Sequence, residues 1–344
     1  MGFLLRIILV GGVFWANGAA FCFAQTTAAR EEKMEESIRQ LTRDVMRMKK
    51  QKPAAKTKTF VAFGATASYE TNAELGQTRK GDLSEEYFLS TGLNHMLNDN
   101  LNFKFNYDLD VLEYNEITDL TSYLNHANAG LHWAVSKAVT VGAGVDVSYL
   151  AYPNSEDGNF IFYKDYAYIK HNISPAMYHQ LLFEQGVKYY TNAEAMDESF
   201  NSLQEKKRQD GRVSIEYSFG DALTPKLFVT MRGRFSVNDS NARFQDYYDY
   251  KTYEFASRLY YELSDRWSLN AGGSYIFWPY TDREITVGGK RQKDNIYSGG
   301  AGLRYKFNKN NSLSVNYSYR QGLSNDSFST YSGSTMSCGW MAFF

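Results

Sequence analysis

Between residues 101 and 111 the chain places Leu101, Phe103, Phe105, Tyr107, Leu109 and Val111 at one set of alternate positions and Asn102, Lys104, Asn106, Asp108 and Asp110 at the other. Side chains of a strand alternate between its two faces, so this segment predicts a ribbon with one oily and one wet side. Comparable segments recur to the last residue, near 59–71, 85–97, 101–113, 122–134, 139–152, 162–173, 178–190, 210–220, 227–238, 250–263, 267–279, 294–307, 312–323 and 334–344. The alternation is weakest between 160 and 220. Short polar connections fall at Asn98-Asp99-Asn100, Ser136-Lys137-Ala138, Ser174 to Met177, Asp221 to Lys226, Ser264-Asp265-Arg266 and Asn308 to Asn311. They alternate with longer ones near 72–84, 114–121, 153–161, 191–209, 239–249, 280–293 and 324–333. An oily face repeated in this way predicts an all-β fold: a transmembrane antiparallel up-and-down β-barrel of about 14 strands, with lipid outside and water inside. An even strand count with long first and last connections puts both chain ends on the side of the short turns, the periplasmic side.

The region before the strands has a different pattern. Arg6 precedes the apolar run Ile7 to Trp15, and small residues follow at Ala19, Ala20 and Ala24. This predicts a signal peptide over 1–24, cut before Gln25. The run is short for a membrane span and is broken by Asn17, and Phe21 before Cys22 fits a lipoprotein signal poorly. Removal of the signal leaves Cys338 as the one cysteine, so no intramolecular disulfide is expected. Residues 25–58 predict a periplasmic helix and a polar linker. Met34, Ile38, Leu41, Val45 and Met48 recur at coiled-coil spacing. One reading is self-association, giving a homo-oligomer. The other is a single amphipathic helix on the barrel floor or in its lumen. The barrel then occupies 59–344.

Mean hydropathy is low, −0.47. A barrel reconciles that with membrane insertion, because only every second residue need be apolar. A net charge of −1 gives no reason to expect a nucleic-acid partner. Tyrosine is abundant, with 27 residues, and Tyr69, Tyr87, Tyr114, Tyr149, Trp133, Trp267, Phe277 and Trp340 are expected to form the two interfacial girdles.

If the oily side faces lipid, the wet side lines a lumen. Parity assigns Glu70, Glu86, Lys104, Asp108, Asp110 and Asp146 to an acidic wall on the first five strands. It assigns Lys164, Lys170, Lys188, Arg212, Arg232, Arg234, Arg258, Arg304, Lys306 and Arg320 to a basic wall on the later ones, opposed by Glu184, Glu216, Glu254 and Glu262. The expected pore-lining set is Lys104, Asp108, Asp110, Asp146, Lys170, Arg212, Glu216, Arg232, Arg234, Glu254, Arg258, Glu262, Arg304, Lys306 and Arg320. Opposed walls would set up a transverse field that favours polar solutes. The simpler reading is local pairing, such as Arg258 with Glu254 and Glu262, or Arg212 with Glu216. Inward glycines (Gly64, Gly92, Gly142, Gly144, Gly272, Gly300 and Gly302) leave space or mark bends.

The final segment ends Trp340-Met341-Ala342-Phe343-Phe344. With the signal, the charged lead and the alternating strands, it resembles the outer-membrane porins of Gram-negative-type bacteria. Trp340 and the terminal Phe344 resemble the signal such proteins present to the barrel-assembly machinery. The fourteen-stranded long-chain fatty-acid transporters fit less well, because their N-terminal plug is buried and the lead here is highly charged. The resemblance implies partners among outer-membrane lipids, small hydrophilic solutes and that machinery.

Catalysis is not expected. The histidines are His95, His126, His132, His171 and His179, and none lies two residues before a serine, as an outer-membrane phospholipase would have it. The outer connections hold many aspartates and no histidine, which argues against an omptin-like protease. No zinc motif or phosphate-binding loop is present, so no cofactor or metal is expected. The leading expectation is a passive channel for small hydrophilic solutes. The alternatives are a structural barrel that binds a periplasmic partner through its helix, and a dedicated export or uptake barrel for a polysaccharide or lipid.

Overall fold

The computed structural model of the protein describes residues 56–77, 80–197, 199, 201–242, 248–285 and 289–344. The expected signal peptide and the helix carrying Met34, Ile38, Leu41, Val45 and Met48 lie outside the described residues. Fourteen strands follow: β1 Thr57–Glu70, β2 Asp82–Met96, β3 Leu101–Tyr114, β4 Ser122–Ala134, β5 Val139–Ala151, β6 Phe160–Asn172, β7 Met177–Met196, β8 Ser202–Thr224, β9 Leu227–Ser240, β10 Tyr250–Glu262, β11 Trp267–Glu284, β12 Arg291–Lys306, β13 Asn311–Ser324 and β14 Tyr331–Phe343. Each strand pairs with its sequence neighbours, and β1 pairs with β14 to close the barrel. Val61 and Phe344 exchange both backbone hydrogen bonds at that seam, at 3.0 and 2.8 Å. Closure leaves no sheet edge, so the ladder satisfies strand N–H and C=O groups that lipid cannot.

The register explains why one rule of parity holds over most of the chain. Outside the register shifts at Glu194, Thr224 and Glu284, the paired residues from β2 to β13 share parity, as in Asp108↔His126, Arg258↔Gly272 and Arg304↔Ser314. Facing residues lie on the same side of a sheet, so the odd positions form one continuous face. That face carries the exposed apolar side chains, among them Val61, Leu89, Phe105, Leu131, Val145, Ile169, Leu181, Ile215, Phe255 and Val315. The even positions are the interior. Over a whole strand the phase changes at β14. Leu313 pairs with Trp340 and Val315 with Cys338, so β14 turns its even residues outward.

The six short turns share one device. The side-chain oxygen of the first turn residue accepts from the backbone N–H groups two and three positions on. Asn98, Ser136, Ser174, Thr224, Ser264 and Asn308 do this at 2.8 to 3.3 Å. Asn, Ser and Thr suit the position because their short side chains reach exactly these neighbouring donors without any change of strand direction. At the other end the first long connection folds back on itself. Asn72 donates to the Gly76 and Ser332 carbonyls and accepts from Gly76 N, while Leu75 takes a left-handed φ of 53°.

Three boundaries differ from the sequence reading. β7 and β8 run to Met196 and back from Ser202, so the expected loop 191–209 is largely a projecting hairpin. β8 also continues through Thr224, which leaves Pro225 and Lys226 between it and β9. β11 extends to Glu284, with a register shift after Pro279. The girdle set also needs one correction. Tyr114 stands at an even position, is buried, and donates to Glu70 Oε1 at 2.8 Å, so it faces the interior. Trp133, Trp267 and Trp340 lie exposed toward the short-turn end, and Tyr69, Tyr87 and Tyr149 toward the long-loop end.

Candidate functional site: the barrel interior

Fourteen strands, spaced about 4.8 Å apart and tilted by about 40°, close into a ring roughly 28 Å across at the backbone. Every residue of the expected pore-lining set stands at an even position of a strand between β3 and β13, on the interior face. Such charges are tolerated there because water and counter-charges replace the lipid that would penalise them.

The interior charges fall into two groups. The larger is a ladder across β6 to β10. Lys164 Nζ lies 2.7 Å from Glu184 Oε1. Glu184 Oε2 accepts from Arg234 Nη2 and, at 3.0 Å, from Ser214 Oγ. Arg234 Nη1 is 4.0 Å from Glu216 Oε2, and Arg232 Nε is 3.8 Å from the same oxygen. Arg232 Nη2 then donates to Glu254 Oε1 at 2.5 Å. The contacts run from strand to strand rather than along one strand. The register makes this possible: Glu216 faces Arg234, and Arg234 faces Glu254. Arg212 reaches Ser236 Oγ at 3.5 Å.

The smaller group lies on β2 to β5. His126 Nδ1 is 3.3 Å from Asp108 Oδ2, and its Nε2 meets Asp146 Oδ2. Only a ring with hydrogen on both nitrogens can donate to both carboxylates. Ser90 Oγ donates to Asp108 Oδ1 at 2.6 Å. Asp110 is buried beside this cluster, facing Leu124. The acidic wall thus carries a histidine at its centre. Sequence reasoning weighed His126 only as a hydrolase candidate; its even position in β4, opposite Asp108, was the available signal.

Closing order fixes what faces what. In a ring of fourteen, β4 stands across from β11. Arg258 on β10 and Arg304 on β12 therefore lie on strands facing the Asp108–His126–Asp146 cluster. Arg232 and Arg234 on β9 lie to one side, inside the ladder. Glu262, Lys306 and Arg320 occupy interior positions of β10, β12 and β13. Lys104 and Lys170 have no carboxylate partner among the described residues; Lys170 Nζ sits 4.0 Å over the Tyr178 ring.

The inward glycines do not leave empty space. A Cβ on Gly142 would collide with the Tyr168 ring, and one on Gly144 with the Tyr166 hydroxyl. These rings lie flat against the wall, in berths made by the missing side chains. Tyr168 is fixed by a 2.5 Å contact to His132 Nδ1, and Tyr166 donates to Asn128 Oδ1 at 3.3 Å. Glycine here turns bulky residues along the wall instead of across the bore.

Residues 181–340, from β7 into β14, match the family described as outer membrane protein beta-barrel domain. Comparison of the sequence with curated proteins finds no match. Among solved structures, the chain is similar to the outer membrane channel DcaP of Acinetobacter baumannii, with a TM-score of 0.52 and 8% identity, over 86% of this chain and 99% of that one. It is also similar to OmpT, an outer membrane protein of Vibrio cholerae in its trimer form, with a TM-score of 0.50 and 8% identity, over 84% and 100%. At such identity the likeness is one of fold. The closed barrel agrees with the family match over residues 181–340.

Proposed function

We propose that this outer-membrane β-barrel is a passive channel for small hydrophilic solutes. The observation that carries the reading is the ionic interior of a ring too wide for side chains to fill, since eight-stranded barrels are already the size that side chains just fill. The ladder and the His126 cluster hold charge fixed on the walls, and the aromatic rings lie along them. A solute would be selected by bore, by the fixed charges and by the outer connections. Lys104 and Lys170, lacking carboxylate partners, favour anions on the β3–β6 side.

No covalent step is part of this function. The Ser90 hydroxyl donates to Asp108 and not to the imidazole, so the ring is not placed to activate it as a nucleophile. The proposed residues are the expected lining set together with Lys164, Glu184 and His126. Trp340 and Phe344 are proposed as the assembly signal, with the short-turn side periplasmic. The test is purified protein in planar bilayers: stepwise conductance is expected, and Arg258→Gln with Arg304→Gln should lower anion preference. A folded barrel that inserts and never conducts would overturn the proposal.

A further inference from the structure

Among the described residues one charge stands inside the outer apolar band, away from the strand ends. Asp165 stands at an odd position five residues into β6 and is exposed. It lies between Tyr163 and Ala167 along the strand and faces Val145 of β5 and Gln185 of β7. Tyr163, Val145, Ile169 and Phe183 around it are exposed apolar residues of the lipid-facing band. Other charges on this face, such as Glu113, Asp221, Asp239 and Lys251, lie near strand ends, where headgroups and water are within reach. Among the described residues Asp165 has no hydrogen-bond or ion-pair partner. Its short side chain cannot snorkel as lysine and arginine do.

Gln185, its neighbour across the β6–β7 seam, is also exposed and also lacks a partner among the described residues. Two polar groups side by side in an apolar band are costly against lipid and need partners of their own. The pair is complementary to itself. A two-fold axis along the membrane normal, passing by the β6–β7 seam, brings Asp165 of one copy opposite Gln185 of the other, and the reverse. The amide then donates to the carboxylate twice, once on each side of the axis. Ala167 faces the exposed Phe183 across the same seam, so the axis sets the small Ala167 of one copy against the ring of the other. Lipid offers neither donor nor acceptor at this depth, and no cation stands nearby on the same face.

We infer that the outer face of β6 and β7 is the contact between two copies of this chain in the membrane, held by reciprocal Asp165–Gln185 hydrogen bonds. The inference is independent of whether the lumen conducts.

The test is the mass of the full-length protein in detergent and in lipid nanodiscs, with Asp165→Leu, Gln185→Ala and a cysteine pair. The wild type should be dimeric. Either substitution should weaken association by about tenfold or more, the loss expected for a charge-assisted hydrogen bond in a dry site. Asp165→Leu is well suited to lipid, so the barrel should still fold, as shown by heat-dependent migration on gels. In a Cys338→Ser background, a mixture of Asp165→Cys chains with Gln185→Cys chains should give a covalent dimer on oxidation, and a mixture of Ser257→Cys chains with Gly273→Cys chains on the far wall should not; the single variants keep each pair from closing within one chain, where its members face each other. A monomeric wild type would overturn the inference. So would an oligomer unchanged by either substitution, or cross-linking equal at both pairs.

Discussion

Glu184 shows how much of the interior depends on single carboxylates. It receives Lys164, Arg234 and the Ser214 hydroxyl, and it is itself nearly buried, at 7% exposure. Glu184→Gln leaves two cations facing each other with one neutral acceptor between them. The expected cost is about 1–3 kcal/mol, below that of a fully dry pair because the lumen side is wet, and urea unfolding in lipid vesicles would measure it. The same variant should move ion selectivity toward anions, read as a shift in reversal potential under a salt gradient. His126→Asn makes the opposite change, since Asp108 and Asp146 lose the ring that separates them; cation preference should rise. Gly142→Val tests the berth of Tyr168, the side chain that a Cβ there would meet first. The ring must swing off the wall, so single-channel conductance should fall while the barrel still assembles. Much of this chemistry could be read from the sequence only in part. Parity assigned the charges to the interior, but it could not say that Arg234 reaches Glu184 across β8. That choice depends on register, which a single strand does not encode. Tyr114 was misplaced because an aromatic residue at a strand end was weighed above its even position.

At the scale of the elements, the alternation of short turns and long connections was legible because lipid imposes an apolar face on every strand. The limits of β7 and β8 were not. Beyond Tyr189 the pair leaves the apolar band, and residues such as Asn192, Glu194 and Lys207 are polar on both faces, so the period of two carries no signal there. The hairpin tip is held by Asp197, which accepts from the backbone N–H groups of Ser199 and Asn201 at 2.9 and 2.8 Å and from the Asn201 amide at 3.2 Å. The Asn201 backbone donor, with the Asn201 side chain, holds its carboxyl below the usual range. A depressed folded value means that this support is complete above the ordinary carboxylate pKa and is lost as pH falls through the lowered one. Protection of the Ser199 and Asn201 amides, taken relative to their intrinsic exchange rates at each pH, should therefore hold down to the ordinary carboxylate range and fall only in stronger acid. The short turns give a second check. Asn308→Ala removes an acceptor used by two backbone donors, at 2.8 and 2.9 Å, and should cost about 0.5–1.5 kcal/mol in the same unfolding assay.

For the whole molecule, closure is the fact from which the rest follows. It sets an outward apolar face against an ionic interior, and it places β4 across from β11. The strand count and the outward apolar face were visible in the sequence because both are period-two signals repeated many times. Asp165 was invisible to a reading that looked for charges on the wet side. The direct measurement is single-channel recording of the full-length protein in planar bilayers, with reversal potentials under a salt gradient. An open ionic lumen gives discrete conductance steps, and their selectivity shifts in opposite directions for Glu184→Gln and His126→Asn. Assembled barrels that carry no current, or current indifferent to both substitutions, would contradict a charged water-filled bore.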